Sequence, residues 1–456
     1  MKPFRWLVGV LTLALVLGTG CAFAAPAPAV PQPRVLMISI DGLKPDYYVR
    51  ADELGLKVPA LRRLMASGAY ARGVVGVLPT VTYPSHTTLI TGVPPRVHGI
   101  VSNKVFDPEE TSNEAWYWYA SDIRVPTLLS AAHGRGLLTG AVSWPVTVGA
   151  PADFNQPEFW RSGSKHPADL GLIDALSSPG LLDAVARRRG KAFGYPMTDQ
   201  DRTDIALYIL REHRPQLLLV HLFELDFAEH DSGPLTPEAL AAVEASDVEI
   251  GRLLTALEEE KLGAETLVAV VSDHGFRTVT RELRPNVLLR RAGLIELAAD
   301  GKVKSWQAYF QCDGGSAALH LNKPGDAAVE KKVRALFEPL AKRPGSGVAA
   351  ILEPERIAAL GGDGTSTLVL DAAPGFAFSA KSSGNWQGPA KDRGYHGYAP
   401  DHPELYASLI LAGRMLAAKG DLGVVPMTAI APTLARYLGL ELSPDAGRPL
   451  EVLTAP

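Results

Sequence analysis

The segment Val35-Leu36-Met37-Ile38-Ser39-Ile40-Asp41-Gly42 joins a short apolar run to an acidic residue and a glycine. Similar apolar runs occupy residues 217–223, 267–271 and 406–411, while residues 237–260 have the periodicity of a helix. Buried strands that alternate with helices are typical of a mostly parallel sheet covered by helices on both faces. The sequence therefore predicts an α/β fold built on such a central sheet.

Two stretches fit this alternation poorly. Residues 116–193 are rich in Trp, Pro, Gly and Ser, and residues 283–385 mix helical patterns with a break at Pro344-Gly345-Ser346-Gly347. Clusters of these residue types mark loops and turns. We expect both stretches to be cap-like insertions in a single catalytic domain over residues 35–450.

The N-terminus has the pattern of an export signal. Lys2 and Arg5 precede an apolar run over residues 6–17, and Ala22-Phe23-Ala24 resembles a cleavage site, which predicts a signal peptide over residues 1–25. The run is shorter than the roughly 20 apolar residues that cross a bilayer. Residues 26–34 contain four prolines and predict an extended tether. We expect an exported protein, periplasmic or secreted, with no transmembrane span in its mature form.

A lipid anchor is the alternative to a freely soluble product. Gly18-Thr19-Gly20-Cys21 loosely resembles a lipoprotein processing site, so Cys21 could carry the lipid. If cleavage follows Cys21, Cys312 is the last remaining thiol and no intramolecular disulfide can form. The composition, with 46% hydrophobic residues, 21% charged residues and a net charge of −4, is that of a globular protein. It shows no basic patch of the kind that a nucleic-acid scaffold requires.

Acidic residues follow three of the predicted strands. Asp41 ends the first apolar run, Glu224 and Asp226 follow the second, and Asp273 follows the third. Ligands of open α/β sheets bind beyond the carboxyl ends of the strands. Like charges that meet there are unfavourable unless a cation neutralises them. One such aspartate could simply cap a turn or a helix, but the set predicts a metal site.

Histidines indicate which metal it is. His230 follows Asp226 by four positions and can share its helix face, and His274 is adjacent to Asp273. His396 lies between glycines that permit a close approach of the backbone. Imidazole and carboxylate ligands together suit zinc, whereas calcium and magnesium favour oxygen ligands alone.

A candidate nucleophile occurs in Pro79-Thr80-Val81-Thr82-Tyr83-Pro84-Ser85-His86, before a predicted helix that ends near Gly92. A hydroxyl at a helix N-terminus lies close to free N–H groups that can hold an anion. Coordination to a metal would favour the alkoxide. The alternative is that these hydroxyls only cap the helix. Asn103 could donate its amide to a phosphoryl oxygen.

Six segments of the sequence, taken in their order along the chain, resemble those of the nucleotide pyrophosphatase/phosphodiesterase family of the alkaline phosphatase superfamily. The resemblance implies an alkaline-phosphatase-like fold. The matching segments are Ile40-Asp41-Gly42, the threonine segment 79–86, residues 91–100, residues 224–234, Ser272-Asp273-His274-Gly275 and Gly394-Tyr395-His396-Gly397-Tyr398.

The resemblance also implies roles for individual residues. Thr82 would attack phosphorus in line, and the covalent phospho-threonine intermediate would then be hydrolysed by water. Asn103 and the backbone N–H of Thr82 would hold a non-bridging oxygen. Two zinc ions are implied, one held by Asp226, His230 and His396, the other by Asp41, Asp273, His274 and the deprotonated Thr82.

The choice between diester and monoester depends on positive charge near the phosphate. Threonine-dependent monoesterases of the superfamily place a lysine and an arginine after the strand that is Gly140-Ala141-Val142 here, but this chain reads Ser143-Trp144-Pro145-Val146. A monoester carries an extra negative charge that needs a positive group. The sequence therefore favours a phosphodiesterase/nucleotide pyrophosphatase over a zinc-dependent phosphomonoesterase. Trp144 could contact an aromatic leaving group or pack in the core, and Lys391 and Arg393 could supply the missing charge.

Two other functions are disfavoured. A sulfatase would have an arginine at the position of His86 and a Cys/Ser-x-Pro-x-Arg motif, which is absent. A non-catalytic zinc-binding protein would have a closed set of four ligands, whereas this set leaves coordination open around Thr82. The expected substrate is a small phosphate ester or nucleotide, with nucleotide, lipid-headgroup and sugar-phosphate esters all compatible.

Overall fold

The computed structural model describes Met1 and residues 32–112, 115–161, 164 and 166–453. The chain divides into the units Met1–Gln32 and Pro33–Pro456, and every element below belongs to the second unit. The predicted signal peptide and Cys21 lie outside the described residues, apart from Met1. The predicted tether lies mostly outside them too, and its last residue, Arg34, already begins the first strand. Within the described ranges, no helix is both long and apolar enough to cross a membrane.

The strands fall into one large sheet and several small ones. In chain order they are β1 (Arg34–Ile40), β2 (Ala69–Tyr70), β3 (Gly73–Val75), β4 (Thr139–Val142), β5 (Phe154–Gln156), β6 (Leu217–Leu222), β7 (Thr266–Val271), β8 (Arg277–Leu283), β9 (Ile295–Leu297), β10 (Val303–Trp306), β11 (Ala308–Cys312), β12 (Ser316–Leu321), β13 (Val348–Leu352), β14 (Val369–Ala372), β15 (Gly375–Phe378), β16 (Gln387–Pro389), β17 (Gly394–Tyr395), β18 (Leu409–Ala412), β19 (Gly420–Asp421) and β20 (Val424–Pro426).

The helices vary from single turns to 23 residues, the longest being α10. In chain order they are α1 (Asp46–Val49), α2 (Pro59–Ser67), α3 (Thr82–Thr91), α4 (Pro95–His98), α5 (Leu128–Gly134), α6 (Asp169–Leu176), α7 (Leu181–Arg189), α8 (Asp199–His213), α9 (Glu224–Ser232), α10 (Pro237–Glu259), α11 (Pro285–Arg291), α12 (Ala327–Ala341), α13 (Pro354–Ala359) and α14 (Ile430–Leu438).

The central sheet has eight strands in the order β19-β2-β18-β7-β1-β6-β4-β5. Strands β7, β1, β6, β4 and β5 are parallel neighbours, which confirms the predicted mostly parallel sheet. Strand β18 runs antiparallel to β7. The loop before β18 lies at the carboxyl end of β7, where Leu405 O accepts a hydrogen bond from Gly275 N. The chain therefore runs back along β7 from that end.

Helices cover both faces of this sheet, as the alternation along β1 shows. Leu36, Ile38 and Ile40 pack into a core that includes residues of α2, α8 and α10. Val35 and Met37 pack into a second core with residues of α3, α5 and α14. Successive side chains of a strand point to opposite faces, so a continuous apolar run requires cover on both.

The two expected insertions differ from each other. Residues 116–193 contain β4 and β5, which are strands of the central sheet, so this stretch does not lie wholly outside the sheet. Residues 283–385 contain the antiparallel sheet β11-β12-β14-β13, and its residues pack with α12 in a separate core. The limits of the catalytic domain at residues 35 and 450 stay a prediction.

Candidate active site

The acidic residues predicted at strand ends lie at neighbouring positions of the central sheet. Asp41 follows β1, and Asp273 and His274 follow β7, which pairs with β1 on one side. Strand β6 pairs with β1 on the other side, and α9 begins two residues after it, at Glu224. Parallel strands bring their carboxyl ends to one edge, which places all these side chains together.

A buried aspartate fixes the start of α9. Asp199 Oδ1 accepts a hydrogen bond from Phe223 N at 3.0 Å, and its Oδ2 accepts one from Glu224 N at 3.1 Å. These are N–H groups that a helix leaves without internal partners. The contact joins the start of the helix that carries Asp226 and His230 to the first turn of α8.

The structure gathers six of the seven predicted metal ligands, all except Thr82, into two groups. In each group, one ligand atom per residue lies within 4.8 Å of the others. We call them the first metal group and the second metal group. The first consists of Asp226, His230 and His396, and the second of Asp41, Asp273 and His274.

The atoms that face each other in these groups have no hydrogen-bond partner among the described residues. They are Asp41 Oδ1, Asp226 Oδ1, Asp273 Oδ2 and His274 Nε2, all buried. His274 Nε2 lies 3.4 Å from Asp41 Oδ1 and 3.1 Å from Asp273 Oδ2. Because buried polar atoms are normally paired, these atoms fit a cation that would complete them.

Backbone carbonyls orient two of the histidines. His230 Nδ1 lies 3.0 Å from Gly394 O, and His396 Nδ1 lies 3.1 Å from Thr80 O. An N–H donated to a carbonyl leaves the Nε2 lone pair available, and this is how proteins prepare a histidine to bind a metal. The residue after His396 must be a glycine. Gly397 has a φ of +87°, and a Cβ there would lie 1.6 Å from Asp313 O.

Electrostatics also indicate that the groups need a cation. Burial raises the pKa of Asp41, Asp226 and Asp273, and negative neighbours raise those of Asp41 and Asp273 further. Burial lowers the pKa of His274 and His396, which keeps these imidazoles neutral, as metal ligands must be. Three carboxylates so close together are stable as anions only when positive charge is near.

The predicted nucleophile segment forms the start of α3. The helix begins at Thr82 and ends at Gly92, whose φ of 75° is the left-handed conformation of a C-terminal glycine. Tyr83 N donates to Asn103 Oδ1 at 2.9 Å, so the amide NH2 of Asn103 faces away from this contact. Within the described ranges, no acceptor contacts the backbone N–H of Thr82. That N–H and the Asn103 amide are therefore free to hold an anion.

His86 connects this helix to the second metal group. Its Nδ1 lies 2.8 Å from Thr82 O and 3.6 Å from Asp273 Oδ2, and its Nε2 lies 2.9 Å from Ser39 Oγ. The imidazole is fully buried. It therefore sets the distance between the start of α3 and the second metal group.

A cavity of about 400 Å³ opens beside the first metal group. His396 and Asn103 line it at one end, and aromatic side chains form much of the wall. Such a cavity can receive an organic group attached to a phosphate at the metal groups. The aromatic residues that line it are Phe106, Trp116, Tyr309 and Tyr395.

The model of the family described as type I phosphodiesterase / nucleotide pyrophosphatase matches residues 35–399. The chain belongs to this family. The match confirms the resemblance seen in the sequence, and with it the placement in the alkaline phosphatase superfamily.

Similar proteins of this family occur in animals and fungi. Human ectonucleotide pyrophosphatase/phosphodiesterase family member 1 is 25% identical over 258 residues, which are 54% of this chain and 24% of that protein. A Schizosaccharomyces pombe protein named uncharacterised pyrophosphatase/phosphodiesterase is 27% identical over 256 residues, 54% of this chain and 45% of that protein. The chain thus matches less than half the length of either relative.

A solved structure of the family confirms the alkaline-phosphatase-like fold. Murine ectonucleotide pyrophosphatase/phosphodiesterase 5, an inactive variant in complex with AMP, superposes with a TM-score of 0.64 at 20% identity. The superposition covers 91% of this chain and 97% of that one. The shared fold extends over nearly the whole of the chain.

The structure does not bring the three predicted substrate contacts of this family member to the cavity. Trp144 is fully buried in the core, with its ring 5.1 Å from that of His86, which matches the alternative of core packing. The Lys391 side chain is 86% exposed and lies near Asp392. Arg393 is exposed, and its contact with the site is the backbone N–H that it donates to His230 O at 2.7 Å.

Sequence reasoning missed several buried residues beside the first and second metal groups. His221, in β6, lies 3.2 Å from Asp41 Oδ2, and Glu158 lies 3.1 Å from His221. His86 was within the threonine segment but was given no role. A polar residue inside a fully apolar run, as His221 is in β6, was the signal that could have identified one of them.

A pH dependence is expected from Asp313, which lines the cavity. Burial raises the pKa of Asp313 from 3.8 to about 6, although a hydrogen bond from Ser102 opposes the shift. The stability that this carboxyl contributes is therefore fully present below pH 3.8 and is lost as the pH rises through about 6. We expect Asp313→Asn to be more stable than the wild type above pH 6, by up to about 3 kcal/mol, because the shift is about two pKa units and each corresponds to ~1.4 kcal/mol.

Urea unfolding of both proteins from pH 4 to pH 8 measures this difference. Asp300→Asn, on an exposed loop, is the control and should show no such trend. A stability difference that stays constant across this range would contradict the expectation.

Proposed function

We propose that this protein is a two-zinc phosphodiesterase/nucleotide pyrophosphatase that acts through Thr82. The observation that carries the proposal is the arrangement of two metal groups, with orphaned ligand atoms, beside the N-terminus of α3. The family membership supports the same reaction class. The mixed imidazole and carboxylate donors suit zinc.

In the proposed reaction, Asp226, His230 and His396 would hold one zinc ion, and Asp41, Asp273 and His274 would hold the other. When bound, the ions supply positive charge for the attacking and leaving oxygens of an in-line displacement. Thr82 Oγ1 gives up its proton to solvent and forms a bond to phosphorus while the bond from phosphorus to the leaving oxygen breaks, and that oxygen departs with the electron pair and takes up a proton from solvent. Water then loses a proton to solvent and attacks phosphorus, the bond to Oγ1 breaks, and Oγ1 takes up a proton, which restores the Thr82 hydroxyl.

The residues of this chain position the phosphate during both steps. The Asn103 amide and the backbone N–H of Thr82 can donate hydrogen bonds to the same non-bridging oxygen. Donors fixed before the reaction stabilise developing negative charge without having to reorganise. Tyr83 N, which donates to Asn103 Oδ1, keeps the Asn103 amide in the orientation that this role needs.

The cavity lining supports a diester rather than a monoester. Among the described residues that line it, Lys104 is the cation, and its ammonium lies 5.6 Å above the Trp116 ring. Three acidic residues line the same cavity: Asp107, Glu110 and Asp313. The second negative charge of a monoester bound at the metal groups would lie next to a cavity lining with more acidic residues than cations. Lys104 is the residue that would favour the alternative, a zinc-dependent phosphomonoesterase.

The test compares kcat/KM of the zinc-loaded protein on bis-p-nitrophenyl phosphate and on p-nitrophenyl phosphate. We expect a preference for the diester of at least about tenfold, which corresponds to ~1.4 kcal/mol of transition-state binding. A preference for the monoester would replace the proposal by the phosphomonoesterase. Activity on neither substrate, with zinc bound, would reject both and favour a non-catalytic zinc protein.

The location and the substrate are also part of the proposal. The signal-peptide pattern over residues 1–25 supports export to the periplasm or the medium, with a lipid anchor at Cys21 as the alternative. The aromatic wall of the cavity supports a small ester or nucleotide with a planar group.

A further inference from the structure

A chain of buried hydrogen bonds runs behind the second metal group. Glu158, which follows β5, is 3% exposed. Its Oε1 accepts a hydrogen bond from Tyr83 Oη at 3.0 Å, and its Oε2 lies 3.1 Å from His221 Nδ1. His221 Nε2 lies in turn 3.2 Å from Asp41 Oδ2. We call this the Tyr83–Glu158–His221–Asp41 chain.

The surroundings of this chain are apolar at the Tyr83 end. Tyr83 belongs to a core that includes Ile100 and Trp118, and the Trp116 ring lies 5.2 Å from its own ring. Burial and the charge of Glu158 both raise the pKa of Tyr83, so its hydroxyl keeps its proton and donates it. A carboxylate is costly to bury, and Glu158 is accommodated because both of its oxygens have partners.

At the other end of this hydrogen-bonded chain, the contact with His221 determines which oxygen of Asp41 faces the second metal group. His221 engages Oδ2 of Asp41 and leaves Oδ1 as the orphaned atom, 3.4 Å from His274 Nε2. Ser143 O lies 3.0 Å from His221 Nδ1, so this ring nitrogen contacts both Ser143 and Glu158. Partners of this kind orient metal ligands and strengthen metal binding.

Tyr83 connects the hydrogen-bonded chain to Thr82 and Asn103, the residues proposed to contact the phosphate. It is the residue after Thr82, and its backbone N–H holds Asn103 Oδ1. A shift of the Tyr83 ring would therefore move the nucleophile and the Asn103 amide together. Glu158 holds this ring through its hydroxyl while it holds Asp41 through His221.

We propose that Glu158 is a positioning residue that keeps Thr82 and Asn103 aligned with Asp41, through Tyr83 on one side and His221 on the other. The proposal rests on the phosphodiesterase function proposed above. Glu158 does not line the cavity. Its loss should therefore slow the chemical step without weakening substrate binding.

The test is Glu158→Gln. Glutamine keeps the shape, but its amide NH2 faces one of the two donors and breaks that contact. At saturating zinc we expect kcat on bis-p-nitrophenyl phosphate to fall about 10–100-fold, with KM within about twofold of the wild type, as for other partners of metal ligands.

Separate variants test the contact of Glu158 with Tyr83 and the contact of His221 with Asp41. Tyr83→Phe removes one hydroxyl and should lower kcat without changing the zinc affinity, whereas His221→Asn should weaken the binding of one zinc ion about tenfold or more. The double variant Tyr83→Phe/Glu158→Gln should be slower than the wild type by less than the product of the two single effects, because both changes act on the contacts of Glu158. The control is Tyr48→Phe, which removes a buried hydroxyl that donates to Ala71 O at 2.5 Å and should leave kcat unchanged.

The outcomes separate the positioning role from the function. An active wild type with unchanged kcat in Glu158→Gln overturns the positioning role, and Tyr83→Phe decides in the same way if Glu158→Gln does not fold. A zinc-loaded wild type without diester turnover overturns the function instead. The zinc titration of His221→Asn then decides the positioning of Asp41, and an unchanged affinity overturns it.

Discussion

Thr82→Ala is expected to abolish diester turnover, with a loss of about 10³-fold or more, while the protein still binds two zinc ions. Removing a nucleophile typically leaves only the contribution of binding and of the oxyanion donors. The six proposed ligands in the two metal groups do not include Thr82, so their geometry should survive the change. Steady-state kinetics and zinc analysis of the same sample measure both effects.

Thr82→Ser is the matched control for this variant, because it keeps a hydroxyl at the start of α3. It should retain measurable turnover, and stopping the reaction on bis-p-nitrophenyl phosphate in acid should trap a p-nitrophenyl phosphoryl group on the serine. Full activity in Thr82→Ala would show that another group attacks phosphorus. Loss of zinc from Thr82→Ala would mean that the variant does not isolate the nucleophile.

His396→Ala is expected to lose one of the two zinc ions and to lower kcat/KM by about 10³-fold. With two ligands left in the first metal group, the site falls short of the three that catalytic zinc sites usually have. His396 Nε2 lies 3.8 Å from Asp226 Oδ1, and its Nδ1 lies 3.1 Å from Thr80 O, so the imidazole is oriented with Nε2 toward the first metal group. Zinc content by atomic absorption and kcat/KM on the diester are the two measurements.

His133→Ala is the control, since His133 is exposed at the end of α5. It should keep both zinc ions and full activity. Two zinc ions with wild-type kinetics in His396→Ala would remove His396 from the ligand set. One zinc ion with wild-type kinetics would mean that the first metal group is not needed for turnover.

The positions of the proposed ligands could be predicted from local sequence because several of them directly follow an apolar run that predicts a strand. An acidic residue after a buried strand lies at the carboxyl end of the sheet whichever strands are neighbours, so Asp41 and Asp273 needed no knowledge of the topology. Asp226 and His230 share a helix face, and their spacing alone revealed it. The flanking glycines made His396 a candidate ligand, but its assignment to the first metal group came from the family resemblance, since β17 is two residues long.

What could not be predicted depends on side-chain direction and on distant contacts. Trp144 follows Ser143, whose φ of 49° turns the backbone sharply after β4, and no local pattern indicated that the indole then points into the core. Glu158 and His221 are 63 positions apart and meet because β4 alone separates β5 from β6. The antiparallel direction of β18 likewise depends on a distant contact, because the loop before β18 lies at the carboxyl end of β7.

The distribution of the proposed ligands along the chain has a consequence for unfolding. The second metal group joins Asp41 near the first strand to Asp273 and His274, and the first joins α9 to His396. Each bound ion would act as a reversible cross-link across a long loop, in a chain whose Cys312 is a free cysteine. Zinc would thus tie the N-terminal strand and the late C-terminal segment to the middle of the chain, and the complete site would exist only after residues up to His396 had folded.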